Sequence, residues 1–297
     1  MTGIICLDKP AGVTSFSAVG RLRRIIGEKK AGHAGTLDPF ATGALPVAFG
    51  GCTRFLELFP SHDKAYIAKM KLGLVTDTLD ITGKVLEERA AAVSEAEFLS
   101  ATELFKGEIE QLPPMYSAVK KDGKRLYELA RQGIEVEREK RNVTVKTLEL
   151  ISFDELSQTA VISVECTAGT YIRSLACDIG EKLGCGAVLT ELRRTAALGF
   201  TQKDFYTLEQ LEQLKENGEL ESAVVAIDRA LGYEKVTVTK PQSVRFSNGG
   251  SLNIGRISAK KPGLYCVYSP EKEFLGVGEI LPDAEEMTAR KVLPRGV

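Results

Sequence analysis

Residues 31–43 read AGHAGTLDPFATG, and this stretch decides how the rest of the chain is read. Gly32, Gly35 and Gly43 permit backbone angles closed to other residues, and Pro39 stiffens the chain directly after Asp38. That density of breakers precludes a continuous helix or strand through the middle. The segment reads instead as a shaped loop that delivers His33 and Asp38 together and leads into a short apolar strand, ALPVAF, at 44–49. A carboxylate held in this way can act as a nucleophile or a base. Taken alone, an Asp-Pro pair is more often a local turn, so the loop needs its neighbours to acquire meaning.

Upstream, IICLDKP (4–10) has the pattern of a short buried strand ended by Lys9 and Pro10, and SAVGRLRRIIG (17–27) places Ala18, Leu22, Ile25 and Ile26 at helical spacing before Gly27. Downstream, KAYIAKMKLGL (64–74) alternates through Tyr66, Ala68, Met70 and Leu72, as a half-buried strand does, and TDTLDITG (76–83) reads as a polar turn. Ser94 with Glu97 three residues on forms a capping box that opens an amphipathic helix. QLPPMYSAVKKDGKRLYELARQG (111–133) gives a proline break, a basic loop through Lys120, Lys121, Lys124 and Arg125, and a short helix ending at Gly133. Strands are expected in RNVTVKTLELISF (141–153) and AVISVECTAGTYIRS (160–174), the latter extended far enough to put Tyr171 and Arg173 on one side. An Arg173 so placed could hold Asp38 bidentately and lower its pKa. A helix follows through SLACDIGEKLG (174–184), and an acidic one at 207–218. Beyond about residue 233 the segments KVTVT, SVRF, NGG, GLYCVYS and KEFLGVGEIL suggest a small all-β appendage.

Composition bounds the function. The chain has 297 residues, 43% hydrophobic and 27% charged, with mean hydropathy −0.06, which suits a globular protein with a substantial core. It shows no run of about 18 uncharged apolar residues and no secretion pattern at its start, so a cytoplasmic location is the default. The six cysteines form no CxxC pair and have only His33 and His62 to assist them, so packed, reduced thiols are expected rather than a zinc site. Neither GxxxxGK[ST] nor GxGxxG occurs, which argues against a nucleotide cofactor. The net charge of −1 conceals asymmetry: residues 1–30 carry six basic groups against two acidic, and 115–146 carry nine against five. A polyanionic partner fits such patches, as do ordinary solvated helix faces.

LDKPAGVTS, AGHAGTLDPFATG, KAYIAKMKLG with TDTLDITG, QLPPMYSAVKKDGKRLYELARQG, GTYIRSLACDIGEKLGCGA and LRRT follow one another in this order. Together they resemble the TruB family of tRNA pseudouridine synthases over nearly the whole chain. The resemblance implies an α+β, mixed α/β catalytic domain over 1–235, with a large, mainly antiparallel mixed sheet flanked by helices. An RNA-gripping insertion is implied at about 111–146, and a small β-rich, PUA-like RNA-binding domain at 236–297.

The implied reaction is isomerisation of uridine 55 in the T-arm loop of tRNA. The base is flipped out and the N-glycosidic bond broken; the uracil then turns and is rejoined through C5. No cofactor and no metal are implied; tRNA is the partner, with no membrane, no obligate protein partner and a monomeric state. Asp38 matches the catalytic aspartate. Tyr66 matches the tyrosine that stacks on the target and assists proton removal, and Tyr171 and Arg173 match the GTYIR pair, Arg173 being the ion partner of Asp38. His33 matches the histidine that holds flipped nucleotides open, and Leu192 a base-pocket residue. Asp77 corresponds to an outer member of the charge network, and Lys9 to a loop support with possible RNA contact. Competing readings are a tRNA-folding or RNA-binding protein with secondary chemistry, a hydrolase using Asp38 with His33, and a synthase of ribosomal or guided RNA targets.

Overall fold

The computed structural model describes residues 2–121 and 123–294; Asp122 of the expected insertion and residues 295–297 of the expected C-terminal domain lie outside it. The chain opens with strand β1 (Gly3–Lys9), helix α1 (Ser15–Ile26), β2 (Ala31–His33) and β3 (Thr42–Phe49), followed by a 3₁₀ segment at Gly50–Leu58. Then come β4 (Lys64–Leu72), a hairpin of β5 (Leu74–Thr76) and β6 (Val85–Glu88), α2 (Glu95–Glu103) and β7 (Gly107–Gln111). A small hairpin, β8 (Lys120–Lys121) with β9 (Lys124–Arg125), and α3 (Leu126–Ala130) precede β10 (Arg141–Asp154), β11 (Thr159–Cys166), α4 (Ile172–Lys182) and β12 (Ala187–Ala197). The part of the chain before the C-terminal region closes with β13 (Phe200–Thr201), β14 (Phe205–Tyr206), α5 (Leu208–Glu216) and α6 (Ile227–Leu231).

Ten strands form one sheet in the order β14-β1-β3-β12-β4-β11-β10-β7, with β2 on β3 and β13 on β12. Only β1 with β14 and β3 with β12 run parallel, so the sheet is mixed and mainly antiparallel, as expected. Strand alternation divides β1 between two cores: Ile5 and Leu7 face α1 and α5, whereas Ile4 and Cys6 face the 3₁₀ segment and the C-terminal sheet. Thr14 caps α1 by accepting from Ser17 N, and Gly27 ends it at φ 70°. Ala18, Leu22, Ile25 and Ile26 are buried along its inner stripe, and each large aliphatic side chain so removed from water contributes about 1.5–3 kcal/mol. On the central strands a third core gathers Ala68, Met70, Ile162 and Val164 against Leu175, Ala176 and Ile179 of α4.

The C-terminal region forms a five-stranded sheet, β15 (Glu234–Thr237), β16 (Leu252–Asn253), β17 (Gly263–Tyr268), β18 (Phe274–Ile280) and β19 (Glu286–Val292), in the order β15-β17-β18-β19-β16. It is not all β. SVRF lies in helix α7 (Lys240–Ser247), because Thr239 and Gln242 form a capping box and Pro241 stands in the first turn, where its missing N–H is harmless. This sheet shares a core with the large one: Phe274 packs on Phe55 at 5.7 Å between ring centroids, and Arg54 Nη1 donates to the Val292 carbonyl at 2.7 Å. The six cysteines carry free thiols, and five are buried. No helix among the described residues is long and apolar enough to cross a membrane.

Candidate active site

The loop between β2 and β3 is fastened on both sides of Asp38. Ser15 Oγ accepts from Leu37 N at 2.8 Å and donates to Leu37 O at 3.0 Å. On the other side, Pro39 O accepts from Gly12 N at 2.9 Å and from Lys9 Nζ at 3.2 Å. Lys9 is completely buried and also donates to Pro10 O and Val13 O, each at 2.8 Å, so three carbonyls take its three protons. Burial nevertheless pushes its pKa down to about 8, against the opposing pull of Asp38. Lys9 is therefore a loop support that has no surface with which to touch RNA.

Asp38 faces Arg173. Arg173 Nη2 donates to Asp38 Oδ1 at 2.9 Å, and Nε lies 2.9 Å from Oδ2 without the alignment of a hydrogen bond, so the ion pair is closed by one charge-assisted hydrogen bond. The same guanidinium donates to Thr78 O at 2.9 Å and to Tyr116 O at 2.8 Å, and its Nη1 is 3.7 Å from Oδ2 of the buried Asp80. Oδ1 of Asp80 is held in turn by Thr78 Oγ1 at 2.9 Å, Thr82 N at 3.0 Å and Thr82 Oγ1 at 2.5 Å. Burial raises the Asp38 pKa above the ordinary carboxylate value; Arg173 opposes the rise, Asp80 adds to it and Lys9 opposes it. Arg173 lowers the Asp38 pKa as expected, but desolvation, with a second carboxylate added to it, outweighs that one shared cation, so the net shift is upward.

Tyr171 and Arg173 do not lie on an extended strand. Tyr171 is the N-cap of α4 and Arg173 stands in its first turn, the aim of the guanidinium being set by the helix. Gln111, at the end of β7, clamps that helix start: its Oε1 accepts from Tyr171 N at 2.9 Å and its Nε2 donates to Tyr171 O at 3.2 Å. Ser174 Oγ donates to Leu112 O at 2.9 Å. The root of the 111–146 segment is consequently bonded to the residues that grip Asp38. Further out, Lys124, Arg125 and Arg131 are exposed, and the last two lie over the Tyr127 ring at 5.8 and 5.6 Å.

Tyr66 lies on β4 between Val164 of β11 and Arg194 of β12, buried in one apolar cluster with Leu37, Ala41, Ile172 and Leu192. Its burial pushes the phenol up to about 12, so it is protonated at neutral pH. His33 is half-buried with Nε2 3.2 Å from Thr36 Oγ1, and burial together with the Arg194 charge lowers its pKa, which favours the neutral ring.

A loop-borne carboxylate, an arginine that grips it and a buried aromatic wall occupy one side of the mixed sheet. Residues 23–172 match the model of the TruB family pseudouridylate synthase N-terminal domain, and residues 173–232 match that of the tRNA pseudouridylate synthase B C-terminal domain. The chain belongs to the TruB family. Among TruB relatives, tRNA pseudouridine synthase B of Pseudomonas fluorescens is 43% identical over 289 residues, 95% of this chain and 93% of that one. The protein of the same name from Clostridium perfringens is 43% identical over 285 residues, 94% and 95% of the two chains. Among solved structures, a chain of a Cbf5-Nop10-Gar1 complex superimposes with TM-score 0.74 at 28% identity, covering 98% of this chain and 85% of that chain. A chain of an H/ACA RNP bound to a substrate RNA containing 2'-deoxyuridine gives TM-score 0.73 at 27% identity, covering 99% and 86%.

Within this TruB chain the structure brings Asp38, Arg173 and Lys9 together around one loop, and Tyr66 with Leu192 in the adjoining apolar cluster. It does not bring Asp77 there. Asp77 is exposed, and its Oδ1 accepts from Lys84 N at 2.8 Å, closing the turn before β6. Asp80, three residues on in the same polar turn, occupies the outer place in the charge network, and only the spacing of two aspartates in TDTLD signalled a choice between them. Arg194 was also missed. It is fully buried, with Nε donating to Ala44 O at 2.6 Å and Nη2 to Gly35 O at 2.9 Å, so it spans the two ends of the Asp38 loop. Its neighbour Arg193 points the other way and pairs with both oxygens of Asp8, at 3.0 and 2.8 Å.

Proposed function

We propose that this chain isomerises uridine 55 in the T-arm loop of tRNA to pseudouridine, with Asp38 as the catalytic carboxylate. The observation that carries the reading is the ion pair of Arg173 with an Asp38 whose loop is fastened from both sides. A uridine inside a folded loop is out of reach of any carboxylate until it is extruded, which costs a few kcal/mol of unstacking. Tyr66 and Leu192 offer the apolar wall on which the flipped base rests, and stacking on an aromatic ring returns about 1–3 kcal/mol. The C1′–N1 bond then breaks, the uracil turns, and C5 joins C1′. Attack by Asp38 at carbon and removal of a ribose proton by Asp38 both require its anion, and Arg173 keeps that anion available against the pull of burial.

His33 and Tyr171, half-buried at the loop and at the start of α4, contact the displaced nucleotides in this reading. The 111–146 insertion grips the T-arm, and residues 236–297 form the PUA-like domain beyond a catalytic domain of residues 1–235. Four charges of excess on the insertion give the binding a salt dependence. The protein works as a cytoplasmic monomer without a cofactor or an obligate protein partner. A guided synthase is the second reading, since the solved structures of similar fold include complexes with further proteins. Identity favours tRNA: 43% to proteins named tRNA pseudouridine synthase B, against 28% to the Cbf5 chain.

The test is direct. The purified chain alone is incubated with an unmodified tRNA transcript, and the pseudouridine formed is mapped along the RNA. Modification at uridine 55 alone is expected. Modification elsewhere would overturn the assigned position, and tight binding without modification would favour the tRNA-folding reading.

A further inference from the structure

Among the described residues, the largest side chain fully sealed from solvent carries a charge: Arg194. Its hydrogen bonds run to two neutral carbonyls, those of Ala44 and Gly35, and among the described residues no carboxylate oxygen pairs with it within 4.0 Å. The titratable groups that feel its charge are Cys6 on β1, Lys9 at the end of that strand, His33 on β2, and Lys64 and Tyr66 on β4. None of them is an anion at neutral pH; the carboxylates that reach the same groups, Asp38 at Lys9 and Tyr66 and Asp8 and Asp204 at Cys6, lie beyond pairing distance of Arg194. Arg173, by contrast, is flanked by Asp38 and Asp80.

An unpaired buried cation is costly and is retained only where something offsets it. Arg194 is also rigid. Gly43, at φ 99°, stands against it in the parallel register of β3 and β12 so closely that a Cβ there would lie 2.2 Å from the Arg194 carbonyl oxygen. On its other side Arg194 is the direct cross-strand partner of Tyr66. A fixed positive charge in a water-poor site beside the base platform is suited to negative charge that exists only during reaction.

The proposed isomerisation generates such a charge. When the C1′–N1 bond breaks, its electron pair stays with the uracil, which becomes an anion, and the deficit at C1′ is met by the Asp38 carboxylate or by loss of a ribose proton. When C5 bonds to C1′ the ring's electron pair forms the new bond, and the Asp38–sugar bond breaks or the ribose proton returns to C2′; the C5 proton then leaves to solvent and N1 takes one up, so the ring ends neutral. During its rotation the detached uracil is negative, and the base platform is Tyr66.

We propose that Arg194 is a positioning residue whose charge, held by carbonyls without a directly paired carboxylate among the described residues, stabilises the detached uracil anion, acting through the site's potential and through Tyr66 without touching the base. This rests on the pseudouridine synthase reading. The test uses the full chain with Arg194→Lys and Arg194→Gln, measuring single-turnover rates on unmodified tRNA from about pH 6 to 9, tRNA affinity and thermal unfolding. A guanidinium stays charged throughout, whereas a buried ammonium loses its proton easily, so the ratio of the Arg194→Lys rate to the wild-type rate should fall as pH rises. Arg194→Gln, which keeps hydrogen-bonding capacity without charge, should be about 100-fold slower than wild type at every pH, with tRNA affinity unchanged. A Lys-to-wild-type ratio independent of pH, or a Gln variant as fast as the Lys variant at the acid end of the range, would overturn the proposal. The Lys profile stands by itself if the Gln chain does not fold. An inactive wild-type chain would instead defeat the underlying functional reading.

Discussion

Arg173 presents Nη1 to Oδ2 of Asp80 at 3.7 Å while its opposite edge is engaged by Asp38. One guanidinium therefore serves two carboxylates. Asp80 aims the guanidinium through its threonine-held carboxylate and, being negative, adds to the rise in the Asp38 pKa.

Activity needs the Asp38 anion, so the acid limb of the pH-rate profile follows the Asp38 pKa and lies above the ordinary carboxylate value of about 4. Asp80→Asn removes a raising influence, so the limb should move to lower pH even as the maximal rate falls about tenfold or more from poorer aim of Arg173. Single-turnover pH profiles of both chains check this, and a limb that stays in place would show that Asp80 acts by geometry alone.

Lys9→Met should leave the carbonyls of Pro10 and Val13 without their donor and deprive Pro39 of one of two. The expected loss is about 2–4 kcal/mol in urea unfolding. The rate should fall more than tRNA affinity does, since the defect lies beneath Asp38 and not on the surface.

Gly43 has no room for a side chain. At φ 99°, with a Cβ falling 2.2 Å from the Arg194 carbonyl oxygen, Gly43→Ala must open the β3–β12 pairing. We expect a loss of about 3 kcal/mol or failure to accumulate folded protein. Gly12→Ala, at φ 80° but with nothing within 4 Å, should lose less, and thermal unfolding of the pair separates backbone strain from collision.

The exposed charges of the insertion make a separable prediction. Replacing Lys124, Arg125 and Arg131 together with Gln should weaken tRNA binding and flatten its dependence on salt, by up to about 0.9 in slope for each phosphate no longer neutralised. The rate at saturating tRNA should change little. Filter binding across a salt series checks the slope.

Much of this was legible in the sequence because the loop chemistry is local. Glycines and Pro39 announced a shaped segment, and alternation announced β4, whose Tyr66 and Met70 are buried as read. What failed depended on long-range packing. Arg173 looked like the end of an extended strand because a Gly-Thr-Tyr run carries no helix start signal, and the clamp that begins α4 there, Gln111, is 60 residues away. Asp77 and Asp80 are equally polar in the sequence, and only the bridge of Asp80 to Leu189 on β12 decides which one turns inward. Arg194 was passed over because an arginine is ordinarily a surface residue, and nothing local reveals a sealed one.

The central claim is that Asp38, held by Arg173, carries the chemistry. The most direct measurement is single-turnover release of tritium from C5 of uridine 55 in labelled tRNA, comparing wild type with Asp38→Asn and recording tRNA affinity for both. Stoichiometric release by the wild type, none above background by Asp38→Asn, and unchanged affinity are expected. Release by Asp38→Asn at a rate near that of the wild type would contradict the account.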